Sequence, residues 1–410
     1  MTQAGLDGTT LQRVGGPDSV WVAGETSGDL LAAVILKAWS NRHPGVCAAG
    51  IGGPALKACG LEAWWPSDRL AVRGYVEVLR HYRDIVGIRQ SLQERVLAQP
   101  PRVFVGVDAP DFNLKLEESL RRQGVPTVHL VCPSIWAWRP ERIHQLRRSA
   151  DHVLCIFPFE PALLQAQGIP CTYIGHPLAP CIPMVPDREA ARARLGVRGQ
   201  GPVIALLPGS RRSEIHALLP RFLAAAAHIL RRRPDAQLLL PMAPGLAGLV
   251  RELVSRHAPA LPVSLVDGQS HACLAACDVT LIASGTATLE AALFKRPMVI
   301  AYHMNAISWW LMRGKRLQPW VGLPNILCAS SLVPERLQGD ATPECLAADV
   351  LSWLDRPKAV ESLQLRFADL HRELTRNTAE LACDVLDGVA RLSSSHSDKP
   401  SRQCTGSLKS

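Results

Sequence analysis

Short apolar runs alternate with helical patterns along almost the whole chain. Ser19–Ala23, Val46–Ile51, Val103–Val107, Thr127–Val131 and His152–Ile156 read as buried strands, because each is a brief apolar run bounded by turn residues. Helical spacing follows from about Leu30, over Ile88–Ala98 and over Leu114–Gln123, segments long enough to cross between parallel strands. A Pro-rich break, Pro177–Pro186, interrupts the pattern and reads as a linker. The alternation then restarts, with strands expected at Val203–Leu207, Gln237–Leu240, Val263–Leu265, Val279–Ile282 and Met298–Ala301. This order predicts an α/β protein with two consecutive doubly wound parallel sheets, binding ligands in a cleft at the carboxyl ends of the strands. The domains are expected at residues 19–185 and 186–392, with disordered segments at residues 1–18 and in the Ser-rich residues 393–410.

Composition fits that plan. A chain of 410 residues that is 47% hydrophobic can build two cores, which excludes a disordered protein. Lys and Arg number 45 against 36 Asp and Glu, for a net charge of +9, so an anionic partner is expected. No block of like charge and no platform of interleaved aromatic and basic residues favours nucleic acid. The 12 cysteines include no C-x-x-C pair, and Cys273 and Cys277 have no second ligand pair nearby, so buried reduced thiols are expected rather than zinc or disulfides. No secretory signal and no run of bilayer-spanning length is read, which confines the expected membrane contact to the periphery.

Chemistry concentrates where strands end. After Val203–Leu207 the chain reads Pro208-Gly209-Ser210-Arg211-Arg212-Ser213-Glu214. A strand, a glycine turn and a helix start, with Ser210 as N-cap, make an anion site from unpaired N–H groups, and Arg211 adds a forked cation. An ordinary turn with a solvated arginine is the plain alternative. Ser284-Gly285-Thr286-Ala287-Thr288-Leu289-Glu290 repeats the logic; Glu290 reaches ribose hydroxyls or simply complements the helix dipole. In Gly24-Glu25-Thr26-Ser27-Gly28-Asp29, Glu25 could bond sugar hydroxyls, while Ser27 or Asp29 would cap a helix. Asp108, at the end of Val103–Val107, is a general-base candidate, and Asp111 is the expected cap of the next helix. His176 reads equally as a packed or a working histidine. Trp136 and Trp138 line the cleft or the core. Between Val72 and Ile88, the residues Val76, Leu79, Tyr82, Ile85 and Val86 alternate with arginines, a pattern suited to core packing or to an anionic membrane surface. Trp309–Arg316 has the same two readings.

Taken in order, these motifs, with Ser134-Ile135-Trp136-Ala137-Trp138-Arg139 and Gly322-Leu323-Pro324-Asn325-Ile326-Leu327, resemble those of the bacterial lipid A disaccharide synthases, glycosyltransferase family 19, from about residue 19 to 390. Gly322 stands where the motif leads one to expect serine. The resemblance implies a GT-B architecture, two Rossmann-like domains facing across a cleft, the first facing acceptor and membrane and the second holding the UDP-sugar. It implies an inverting, metal-independent transfer without cofactor, from UDP-2,3-diacylglucosamine to lipid X, at the cytoplasmic face of the inner membrane. In that frame Asp108 is the base and Glu25 a second catalytic candidate. Gly209, Ser210, Arg211, Ser284, Gly285, Thr286 and Glu290 hold UDP, and Ser27, Asn325, Trp136 and His176 line the substrate cleft. The Val72–Ile88 helix becomes the membrane patch. Self-association is left open. Two competitors remain: a nucleotide-sugar enzyme of the same fold, such as a UDP-N-acetylglucosamine 2-epimerase, and a non-catalytic lipid-binding protein.

Overall fold

The computed structural model describes residues 16–70, 75–304 and 317–397. They form two compact units: residues up to Ile135 with Glu141–Pro177 and the chain from Asn377, and Trp136–Pro140 with Leu178–Arg376.

The first unit is built on a seven-stranded parallel sheet. Its strands are β1 (Ser19–Ala23), β2 (Ala48–Gly52), β3 (Glu62–Pro66), β4 (Val103–Val107), β5 (Thr127–Leu130), β6 (His152–Cys155) and β7 (Cys171–Tyr173). The order β3-β2-β1-β4-β5-β6-β7 reverses direction between β1 and β4, whose last residues Ala23 and Val107 are register partners. That reversal is where an open α/β sheet leaves room for ligands. The central strands are buried along their length and mostly apolar because helices cover them. Val20, Val22, Ile51 and Phe104 pack with Ile88, Leu92 and Val96 of the helix Tyr75–Ala98 and with Leu116 and Leu120 of the helix Pro110–Arg122.

Position in sequence places the chain from Asn377 in the second domain, yet its helix Thr378–Ser397 packs with the first unit. Trp39 Nε1 donates to Asp387 Oδ1 at 3.0 Å, and Arg42 Nη1 donates to Asp384 Oδ1 at 2.7 Å. No local pattern connects partners so far apart in the chain.

The second unit has a six-stranded parallel sheet, with strands β8 (Val203–Leu207), β9 (Gln237–Met242), β10 (Val263–Asp267), β11 (Val279–Ala283), β12 (Met298–Tyr302) and β13 (Glu335–Leu337). Their order is β10-β9-β8-β11-β12-β13. The Pro-rich break is not a loose linker: from Leu178 it belongs to this unit. Lys295 Nζ donates to Pro183 O at 3.3 Å and to His371 Nδ1 at 2.5 Å, while His371 Nε2–H donates to Ala179 O at 2.8 Å. Among the described residues, no helix is long and apolar enough to cross a membrane.

Candidate active site

In the first unit, the carboxyl ends of β1 and β4 bring two sequence motifs together. The helix after β1 begins at Thr26, earlier than its apolar spacing suggests, so Ser27 and Gly28 lie within its first turn. Gly28 is packed so tightly that a Cβ there would stand 3.3 Å from Val107 Cγ1, and one on Gly24 would stand 3.8 Å from Ala109 Cβ. Gly28 thus lets the start of this helix lie close against the end of β4, and the Glu25 turn lies beside the Asp108 turn. Glu25 is the N-cap residue, and no side chain caps this helix. Asp29, expected to cap it, instead accepts from Gly53 N at 2.7 Å and Ala55 N at 2.8 Å, at the start of the helix Pro54–Ala58.

Asp108 and Ala109 both have left-handed backbone, at φ 48° and 44°. Two successive non-glycine residues in that region are strained, at about 1–2 kcal/mol each. Asn113, buried in the next helix, stabilises the turn. Its Nδ2 donates to Asp108 O at 2.9 Å and, at 3.2 Å, to Val107 O and Val22 O, so one amide joins both strand ends to the turn. Behind it lie Glu117 and His129, fully buried and 2.8 Å apart. Asp111 is not the cap of this helix. It sits in the first turn and pairs with Arg142, while Ala109 is the N-cap.

In the second unit, the turn after β8 is occupied by a side chain of the chain itself. The helix starts at Arg212, so Arg211 rather than Ser210 is its N-cap residue. Glu214 reaches back: Oε2 accepts from Ser210 N at 3.0 Å and Oε1 from Arg211 Nη1 at 2.7 Å. Gly209 has φ 119°, and a Cβ there would come within 2.4 Å of Glu214 Oε2. A carboxylate of the chain itself therefore sits on the backbone N–H and the guanidinium that the sequence suggested for phosphate.

The turn after β11 is more open. Gly285 (φ 150°) precedes the helix Thr286–Leu293, whose N-terminus has no side-chain cap and whose first residue is exposed. Ser284 Oγ is engaged, donating to Val321 O at 2.9 Å. Glu290 Oε2 lies 3.1 Å from Nε2 of His271, a residue no motif singled out. Glu290 raises the pKa of His271 through this bond, and burial opposes the rise.

Several expected cleft residues have other work. Asn325 is fully buried, and its amide is saturated. Nδ2 donates to Val333 O and Glu335 Oε1, both at 2.9 Å, and Oδ1 accepts from Leu332 N at 2.9 Å and Val333 N at 3.0 Å. An amide with four bonds made has none left for substrate. Glu335 also accepts from Val321 N and Gly322 N. At Gly322, where serine is expected, a Cβ would come within 2.3 Å of Ile300 Cδ1, so a serine there would require the Ile300 side chain to shift. His176 is 2% exposed and stacks on Phe157 with 5.9 Å between ring centroids, and burial pushes its pKa down to about 4. Trp136 and Trp138 are half-buried in the short segment that belongs to the second unit, where Gln318 Nε2 donates to Trp136 O at 3.3 Å.

Of the membrane-facing set, Ile85 packs against the core of the first unit and Val86 is half-buried. The side chains of Val76, Leu79 and Tyr82 lie outside the described residues, as do Val72–Gly74 and Trp309–Arg316. Among the described residues, no group of His, Cys, Asp and Glu is arranged to hold a metal ion.

The family described as lipid-A-disaccharide synthetase matches residues 20–386. The lipid-A-disaccharide synthase of Albidiferax ferrireducens is 56% identical over 373 residues, 90% of this chain and 96% of the relative. That of Verminephrobacter eiseniae is 55% identical over 370 residues, 89% and 95% of the two chains. Solved structures share the fold at low identity. A putative UDP-N-acetylglucosamine 2-epimerase from Listeria monocytogenes has a TM-score of 0.62 at 14% identity, covering 94% of this chain and 98% of the other. MurG from Acinetobacter baumannii has a TM-score of 0.54 at 15% identity, covering 91% and 100%. With two parallel α/β sheets of the GT-B type and this match along nearly its whole length, the chain belongs to the lipid-A-disaccharide synthase family of glycosyltransferases.

Proposed function

We propose that the chain transfers 2,3-diacylglucosamine from UDP-2,3-diacylglucosamine to the 6-hydroxyl of 2,3-diacylglucosamine 1-phosphate (lipid X). The observation that carries this reading is the joining of the Glu25 and Asp108 turns at the switch point of a sheet whose chain belongs to this family. The acceptor oxygen attacks the anomeric carbon, its proton passes to the Asp108 carboxylate, and the bond from that carbon to the β-phosphate oxygen breaks. Configuration inverts, giving a β-1′,6-linked disaccharide 1-phosphate and UDP. Glu25, one strand over, is assigned to the sugar hydroxyls.

Negative charge grows on the departing β-phosphate as that bond breaks. Arg211 exchanges Glu214 for the phosphate, and the N–H groups at Thr286 and Ala287 complete the cradle. Because Glu214 already holds Arg211 at the turn, the guanidinium is ordered before the donor arrives. Glu290 takes the ribose hydroxyls. Both substrates carry acyl chains, so the first turns of the helix Tyr75–Ala98 are assigned to the surface of an anionic membrane, checked by co-sedimentation with anionic vesicles.

Asp108→Asn tests the central assignment. Turnover measured by thin-layer separation of the disaccharide should fall about 10²–10⁴-fold with the fold intact. Near-normal turnover would remove Asp108 from the role, and a folded wild-type chain that makes no disaccharide from the two acylated substrates would refute the reading as a whole. Soluble UDP-N-acetylglucosamine serves as the control donor, and its 2-epimerisation would favour the competing activity.

A further inference from the structure

The contact between Glu290 and His271 is built, not incidental. Gly268 and Gln269, both left-handed at φ 62° and 53°, bend the chain after β10 so that His271 lies in the first turn of the helix Ser270–Ala276. The His271 ring is tilted 60° to Phe294 with centroids 5.3 Å apart. Phe294 stands four residues after Glu290, one helical turn away and on the same side. The aromatic ring packs against one side of the imidazole, whose side chain is 47% exposed and whose Nε2 meets Glu290 Oε2 at 3.1 Å. Among the described residues, Glu290 Oε1 makes no hydrogen bond. The carboxylate is therefore pinned by one oxygen while the other remains able to accept.

We propose that His271 is a positioning residue for the donor nucleotide: it holds Glu290 in the rotamer that receives the ribose hydroxyls. This rests on the assignment of Glu290 to the ribose. A carboxylate accepting two neighbouring hydroxyls must present its oxygens in one plane, and an unrestrained glutamate would have to be ordered when the ligand binds. The imidazole does that ordering in advance, and its N–H strengthens as a donor when protonated. A solvent-exposed ion pair of purely structural purpose would contribute little to stability and nothing to the discrimination between riboses.

The test uses the full chain and two ligands, UDP and 2′-deoxy-UDP, bound in a calorimeter, alongside kcat and KM for the acylated donor. His271→Ala should raise the donor KM about tenfold with kcat within about twofold, and shrink the preference for UDP over its 2′-deoxy analogue by a similar factor. His271→Gln, which keeps an N–H donor, should recover most of both, a rescue that a space-filling role would not produce. Glu290→Gln separates the two levels of the argument. If it leaves the preference for UDP intact, the ribose assignment falls and this proposal with it. If Glu290→Gln abolishes the preference and His271→Ala does not change it, the proposal alone is overturned.

Discussion

A histidine stacked in the interior makes the stability of this protein depend on acid in a calculable way. His176 is 2% exposed against Phe157, and burial lowers its pKa from 6.5 to about 4. The native state therefore prefers the neutral ring, whereas the unfolded chain protonates near the ordinary value. Below pH 6.5 the unfolded state binds the extra proton, so stability falls with falling pH until the native ring protonates near pH 4. Over the whole window the difference is about 3 kcal/mol, and about 2 kcal/mol of it is lost between pH 7 and 5.

The perturbation is His176→Phe, which keeps an aromatic ring against Phe157 and removes the titrating group. Urea unfolding at pH 5, 6 and 7 gives the free energy of each protein. His152, His303 and His371 also have lowered pKa values and His271 a raised one, so neither protein has a flat profile. Those groups are common to both, and subtraction isolates His176. The variant should lose about 2 kcal/mol less than the wild type between pH 7 and 5. Parallel profiles would refute the argument, because they would mean that the native imidazole titrates at its ordinary value.

Two further substitutions separate scaffold from ligand contact. Asn325→Leu removes the amide bonded to Leu332 N, Val333 N and Val333 O and takes one donor from Glu335, which keeps Val321 N and Gly322 N, a loss of about 3 kcal/mol or more. Thermal melting should drop while the donor KM of the folded fraction stays within twofold, and a raised KM at normal melting temperature would return Asn325 to the substrate. Gly285→Ala meets nothing within 4 Å, so its effect comes from backbone strain at φ 150°, about 1–3 kcal/mol. UDP affinity measured by calorimetry should weaken as the turn relaxes, and unchanged affinity would remove the Thr286 N-terminus from the phosphate cradle.

The residues that could be read from sequence are those whose physical task is local. Central strands such as Val103–Val107 and Val203–Leu207 are continuous apolar runs because both faces are covered, and their ends carry glycine turns that can be seen without coordinates. The edges β3, β7 and β13 were missed for the converse reason. Cys171–Tyr173 and Glu335–Leu337 have three residues each, too few for an apolar run, and Glu62–Pro66 is partly buried, with polar or exposed residues at both ends. Asp29 and Asn325 bond to something other than the neighbour the sequence suggests, and Glu214, to which the sequence pattern assigns no role, fills the turn before it. Asp29 caps the next helix, Glu214 takes the anion's place at the turn, and Asn325 braces the β13 approach. A polar residue in a motif announces that it makes strong hydrogen bonds, and only the fold decides whether a ligand or the backbone receives them. His271 shows the same limit from the other side. The strand-turn-helix rule that picked out Arg211 and Thr286 applies equally after Val263–Asp267, where Gly268 and Gln269 form the turn. Applied at every strand end rather than only those with a recognisable motif, the rule reaches His271. Its partnership with Glu290 depends on a crossover from an edge strand to a central one, and that step the sequence does not spell out.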